Sequence, residues 1–482
     1  MISQDSNSAQ IEIANIVADL LTNVFNSTDR NPANMWSEHK LIREKLDRIA
    51  TLQATLSNTD SNIATKRGEG ALAEFLAWCD RKGIVRDGVE VDEDPKLGYQ
   101  LIATRDMVEG EIVITVPRRA IFCVDQAKKL PGLRKLFVRD HMLSQMDNVG
   151  LALGLCALQL KDDSSWLPYL NVLPSSFDCP LYYSLEDLEG LRPSPTFDDA
   201  LYHYRTIARQ FCYYLALVNE SHNFNKQKKE ERKGREPPSL YDGPFTLGNF
   251  TFGLYKWAVC SVTTRINKVP SEYETVGENS KLIPSLIPLL DFANHEFNNN
   301  TQFTPGYCDT EDVAALPINK PTKKGQPITI QYGLRTTGEF FLHNAFSPPI
   351  NPYNKYKLRI GLPKTDQYID HRVAQMCKLG YSNMNTVYSF NVFIPAKDGD
   401  VPFDESLIRF ARVFMSNPPT DEIVDSDESL KKGLQFLDTR LSLLLRAYSN
   451  KNLEGDSNTS ILLRQEKEIL EKALNYIQNY KK

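Results

Sequence analysis

SLIPLLDFANHEF, Ser285 to Phe297, is the stretch on which the reading of the chain turns. An apolar run of strand or buried-segment quality stops at Asp291 and delivers Asn294 and His295. The residues alone leave two readings. Asp291 and His295 stand at i, i+4, a metal-pair spacing if the segment were helical. Alternatively, Asp291 or Asn294 caps a turn and His295 is a satisfied buried histidine. A proline just upstream weighs against the helix that a metal pair needs, and no metal is expected.

Two other stretches bear on the choice. ITIQYGLRTTGEFFLHNAF, Ile328–Phe346, reads as a strand reaching Tyr332 and Gly333, where glycine permits a sharp turn. A helix then begins with Thr336 or Thr337 as N-cap and Glu339 near capping-box spacing. WAVCSVTTRINKVP, Trp257–Pro270, is an apolar run that ends on Arg265 and Asn267. Taken singly, Arg265 is a cation at a helix C-terminus, Asn267 a helix stop, and Tyr332 a half-buried strand tyrosine.

The whole chain sets bounds on these readings. Its 482 residues, 41% of them hydrophobic, suit roughly two to four compact units with ample cores. A net charge of −5 provides no general basic surface, which argues against nucleic-acid binding. The eight cysteines are scattered without a CxxC, as in a reduced intracellular protein without structural zinc. The N-terminus lacks a signal-peptide pattern. The least polar run, Val149–Leu160, is shorter than the ~18 residues a membrane span needs. A soluble cytoplasmic protein, or also a nuclear one, is expected.

Periodicity then divides the chain. Ile13, Ile16, Val17, Leu20, Leu21 and Val24 recur at helical spacing, as do Ile42, Leu46, Ile49 and Leu52. They give a helical arm over 1–66. A third helix ends at Gly83, and short β-branched segments follow from about 84 to 120. Residues of about 123–260 are mostly helical, with NKQKKEERKGREPPS, Asn225–Ser239, as a solvated mobile loop. β segments return between 283 and 333. The two β portions must pair, since neither buries a core alone. Past the Pro-rich FSPPINPYN, amphipathic helices dominate. The domains expected are 1–66, 67–347 with its insert, and 348–482.

Together these segments resemble the SET-domain methyltransferases. DFANH followed by a strand ending in QYG looks like the pair of segments that form their threaded active site. SSWLPYLNVLPSSFDCPLYY, Ser164–Tyr183, is similar to the insert of the branch typified by the Rubisco large-subunit lysine methyltransferase. KWAVCSVTTRINKVP, YRTIARQF and the final helices most resemble the actin-histidine N-methyltransferase family. The likeness runs from about residue 65 to the C-terminus.

That resemblance implies an α+β fold: a SET β core with a threaded (pseudoknot) active site, a helical insert and an all-helical C-terminal substrate-binding domain. It implies S-adenosylmethionine as cofactor, held by Arg67, Leu97, Gly98, Tyr99, Arg265, Asp291, Asn294, His295, Asn344 and Phe346. Asn267 would orient the substrate, Tyr332 would position it at the methyl-transfer channel, and Arg335 would contact the imidazole or nearby substrate backbone. Leu290 stands where the family carries a tryptophan lining the substrate pocket. Gln100 stands where its cofactor turn carries a second glycine, so a different backbone is expected there. The implied activity is N-methylation of a histidine ring in actin, bound as an extended segment by a monomer, with neither nucleic acid nor membrane involved. Lysine methylation, or weak catalysis in a peptide-binding or actin-binding protein, are the alternatives.

Overall fold

The computed structural model describes residues 2–27, 32–56, 70–161, 164–227, 236–240, 242–297, 305–382, 386–395, 397, 399–417, 419, 425–451 and 453–480. Arg67 lies outside them, as do residues 228–235 of the charged Asn225–Ser239 stretch. The chain forms two compact units, Met1–Phe177 with Leu201–Gly333, and Asp178–Ala200 with Leu334–Lys482. None of the described helices is long and apolar enough to cross a membrane.

In the first unit, the expected arm is a helix Ile2–Asp19, extended by a π turn Leu20–Val24, and a second helix Pro32–Leu56. The stripe Ile13, Val17, Leu20, Ile42, Leu46, Ile49 and Leu52 is buried. Polar bonds fix the arm in place. Arg205 donates to Glu38 at 2.5 Å and to the Val24 and Ser27 carbonyls, while Gln53 donates to the Leu247 and Phe250 carbonyls at 2.8 Å.

The strands of this unit are β1 (Val85–Arg86), β2 (Val89–Asp94), β3 (Gly98–Ala103), β4 (Ile112–Pro117), β5 (Phe122–Cys123), β6 (Asn267–Val276), β7 (Asn279–Leu286), β8 (Asn294–His295), β9 (Gly306–Cys308), β10 (Val313–Pro317) and β11 (Pro327–Ile330). They form sheets ordered β1-β4-β10-β9, β2-β3-β11-β8 and β5-β7-β6. The early and late β portions therefore do pair, through β4–β10, β3–β11 and β5–β7, all antiparallel.

Between them runs the helix Asp147–Gln159, whose residues Val149–Leu158 are all buried. Gly154 lets it lie close: a Cβ there would come within 2.8 Å of the Ala127 Cβ and 3.0 Å of Phe122. The helix Phe252–Arg265 packs on it, starting where the Thr251 hydroxyl accepts from the Leu254 N–H and ending on Arg265.

The second unit is mainly helical but not all-helical. β12 (Lys355–Gly361) and β13 (Val387–Phe393) form an antiparallel ladder. Every second residue of KYKLRIG and VYSFNVF is buried, the period-two pattern of a half-buried strand, and that local pattern overrides the helical texture around it. Tyr356, Leu358, Phe390 and Val392 join Phe410, Leu437, Leu470 and Ile477 in one core.

Candidate active site

The chain enters the site through a strained reversal. After β7, Leu289 adopts φ 70°, ψ −49°, a classic γ-turn geometry that a side chain disfavours. Its side chain is fully buried, so packing offsets the strain. The 3₁₀ turn Leu290–Phe292 follows, then β8. Asp291 and His295 thus share no helix, and the i, i+4 spacing does not operate.

β8 pairs in parallel with β11, Asn294 opposite Thr329 and His295 opposite Ile330. Just past β11 the chain folds back on the same segment. The Tyr332 N–H donates to His295 Nδ1 at 3.1 Å and its hydroxyl to the Ala293 carbonyl at 3.0 Å. His295 therefore carries its proton on Nε2, if neutral, and acts as a lock between the two interlaced segments. Burial pushes the Tyr332 phenol up to about 12, so it stays neutral and cannot serve as a base near neutral pH.

Asp291 is buried and accepts from the Tyr169 hydroxyl. Burial pushes its carboxyl up to about 7, against the opposing pull of the Arg265 guanidinium and the Tyr169 hydroxyl. That shift from 3.8 corresponds to a cost on the order of 4 kcal/mol for holding the charge in place. Among the described residues, the buried polar atoms here without a hydrogen-bond partner include Asp291 Oδ1, Asn294 Nδ2 and Arg265 Nε. Each such atom costs about 1–3 kcal/mol. One acceptor and two donors aimed without partners are what a bound group with an ammonium and a carboxylate would satisfy.

Asn267 begins β6, opposite Ser285. Its Nδ2 donates to the Arg265 carbonyl at 3.3 Å, which leaves the amide oxygen as the acceptor. Leu290 is fully buried. Tyr99 packs on Phe292 at 5.4 Å between centroids, and Phe292 on Phe75 at 5.3 Å. Leu97 and Gly98 lie in the β2–β3 turn, where Asp94 Oδ1 accepts from the Lys96 and Leu97 amides. Gly98 has φ +74°, a region that glycine enters at little cost. Gln100 is an ordinary strand residue paired with Asp92, so the missing second glycine demands no unusual backbone.

The second unit carries three of the predicted residues. The helix Thr337–Asn344 starts with the expected capping box of Thr336 and Glu339. Arg335 donates to the Asn344 side chain at 2.5 Å, and Phe346 packs on Phe340. Burial holds the Arg335 guanidinium below its usual pKa.

Sequence reasoning missed two residues that hold these elements. Tyr169 lies inside the WLPYL segment and anchors Asp291. Asn458 accepts from the Ser347 N–H at 2.6 Å and donates to the Ala345 carbonyl at 3.4 Å and to Asp178 at 2.9 Å. It brackets Phe346. No local pattern marks either residue, because both partners lie far off in sequence.

The two interlaced segments, with the buried Asp291 and the half-buried Arg265 beside them, define a SET domain. The SET domain family model matches residues 98–333. Solved structures of Rubisco LSMT share the fold: one bound to sinefungin and monomethyllysine has TM-score 0.63 at 17% identity, covering 86% of this chain and 93% of that one. Another, the SET domain of LSMT bound to lysine and AdoHcy, has TM-score 0.62 at 17% identity, with 85% and 91% covered.

Curated relatives match along nearly the whole length. The actin-histidine N-methyltransferase of Xenopus tropicalis is 31% identical over 96% of this chain and 78% of its own. Those of Danio rerio and Homo sapiens are 28% identical, with 96% and 77% covered. The chain belongs to the actin-histidine N-methyltransferase family.

Proposed function

We propose that this protein is an S-adenosylmethionine-dependent protein-histidine N-methyltransferase that methylates a histidine ring nitrogen of actin. The observation that carries the histidine reading is the setting of Asn267. Its amide nitrogen is engaged by the Arg265 carbonyl, and its oxygen can accept the N–H of one ring nitrogen of a histidine. The other nitrogen then keeps its lone pair for the methyl group. Imidazole, with a reference pKa of about 6.5, is mostly neutral near pH 7, whereas lysine, at about 10.4, must first lose a proton. Alignment and exclusion of water are then the main requirements.

When bound, S-adenosylmethionine supplies an electrophilic methyl on a sulfonium centre. The unpartnered Asp291 Oδ1 suits its ammonium, and Arg265 Nε and Asn294 Nδ2 suit its carboxylate. His295 holds the interlaced segments together, while Leu97, Gly98 and Tyr99 would help to hold the cofactor. From the family likeness we also assign Arg67, Asn344 and Phe346 to the cofactor, and Leu290 and Arg335 to the substrate. Tyr332, a neutral phenol fixed to Ala293, positions the reacting groups.

The protein acts as a monomer on an extended actin segment, in the cytoplasm or nucleus. Its eight free cysteines suit that reducing setting. The test is transfer of a labelled methyl group to purified actin, followed by amino-acid analysis. Labelled methylhistidine is expected, and unlabelled actin would contradict the reading.

Asn458 gives a second test. Asn458→Ala should weaken S-adenosylmethionine binding about fivefold by loosening the backbone around Phe346, at about 1 kcal/mol for the lost bonds. The KM for peptide should stay unchanged. Calorimetry of cofactor binding beside peptide kinetics separates this from general destabilisation, and Asn458→Asp, which keeps the acceptor for Ser347, should recover part of the loss.

A further inference from the structure

A cleft of about 510 Å³ opens on one face of the β6–β7 hairpin. Lys268, Leu282 and Pro284 form that side, with Val259 and Thr263 of the helix Phe252–Arg265 and Gln210 opposite. The register explains the lining: Lys268 stands across from Pro284 and Pro270 from Leu282, so these residues share a face. Asn267 and Ser285 lie on the other. β6 is an edge strand of its sheet, so the cleft opens on the face opposite the Asn267 amide, one residue along the same edge, where a segment laid along that edge presents successive side chains to the two faces.

Its charges are unbalanced. Asp147 also lines it, but Asp147 Oδ2 is held by Lys281 at 2.9 Å, and Lys281 is shared with Glu274 at the same distance. Asp147 Oδ1 is buried and, among the described residues, has no hydrogen-bond partner. Lys268 is exposed, and among the described residues its ammonium makes no ion pair or hydrogen bond. Among the described residues, no carboxylate neutralises the Lys268 ammonium at the cleft wall.

We propose that Lys268 is a specificity residue. It selects substrates with an aspartate or glutamate close in sequence to the target histidine. The inference rests on the protein-histidine methyltransferase reading. A lysine that is merely solvated would show no preference among peptides. A lysine on a cleft wall with no carboxylate already paired to it favours a carboxylate and disfavours a cation.

The experiment measures binding apart from turnover. Fluorescein-labelled histidine peptides carry Glu, Gln or Lys at each position near the histidine, and their affinities are read by anisotropy with S-adenosylhomocysteine present. At one position, the wild type should bind the Glu peptide about threefold more tightly than Gln and about tenfold more tightly than Lys. Lys268→Glu should reverse that order, Lys268→Gln should flatten it, and salt should weaken the wild-type preference. An unchanged order in Lys268→Glu, or no preference in the wild type, overturns the proposal. A charge preference that reverses in Lys268→Glu without methyl transfer to any peptide sustains Lys268 as the selector and removes the catalytic reading instead.

Discussion

Asn267→Ala should lower kcat/KM for a histidine substrate by about 100-fold, with S-adenosylmethionine affinity held within about twofold. The asymmetry follows from what the side chain touches. Among the described residues, its side-chain hydrogen bond runs from Nδ2 to the part-buried Arg265 carbonyl at 3.3 Å, so alanine gives up one long bond and little stability is lost. What disappears is the acceptor that selects one imidazole tautomer. A ring free to present either nitrogen spends part of its time with N–H facing the methyl, where no lone pair is available. The loss should fall on kcat more than on KM, because the tautomer matters most in the transition state. Asn267→Gln keeps the amide but moves it outward along a longer chain, and should recover little. Equal losses in cofactor affinity and kcat/KM would instead make Asn267 a structural residue.

Cofactor affinity should rise with pH up to about 7 and level off above it, falling about tenfold for each unit below. Asp291 is the cause. Its folded-state value is raised to about 7 from 3.8 by burial, so the folded protein binds this proton more tightly than the unfolded chain. Stability of the free protein therefore declines as pH rises from about 4 through about 7, then stays flat. Cofactor binding runs the other way, because an ammonium prefers the carboxylate to the neutral acid. Glu466, buried and likewise pushed up to about 7, adds its own decline in stability. The affinity profile, not the melting profile, isolates Asp291. Asp291→Asn should flatten the affinity profile and lower its plateau by about 30-fold, the worth of a buried charge-assisted bond of about 2 kcal/mol. Tyr169→Phe removes the hydroxyl that favours the charged form, so the midpoint of the profile should move up. A profile that is flat in the wild type, measured by calorimetry across that range, would contradict the assignment.

The parts of the site legible in sequence are those in which function interrupts a local pattern. The apolar run of β7 ending on Asp291, a strand closing in Tyr332-Gly333, and a helix ending on Arg265 each break a period abruptly, and all three converge in the fold. The Thr336–Glu339 capping box was legible because it closes within three residues. The β12–β13 ladder was legible in principle, since its alternation is clear, but the surrounding amphipathic helices obscured it. Tyr169 was not, because the contact that matters joins it to Asp291 across 122 positions. Asn458 binds Ser347 across 111. Lys268 stands out only once the hairpin register shows which residues share its face and which carboxylate Lys281 already occupies.

The most direct test of the central claim uses two actin peptides that differ only in carrying histidine or lysine at the target position, each incubated with wild-type protein and methyl-labelled S-adenosylmethionine. Label on the histidine peptide and none on the lysine peptide is the predicted result, and loss of that label in Asn267→Ala ties it to the site described. Leu290 makes the comparison demanding, because it replaces the flat ring that the family places beside Asp291 with a smaller, fully buried side chain. Label on the lysine peptide alone would contradict the account.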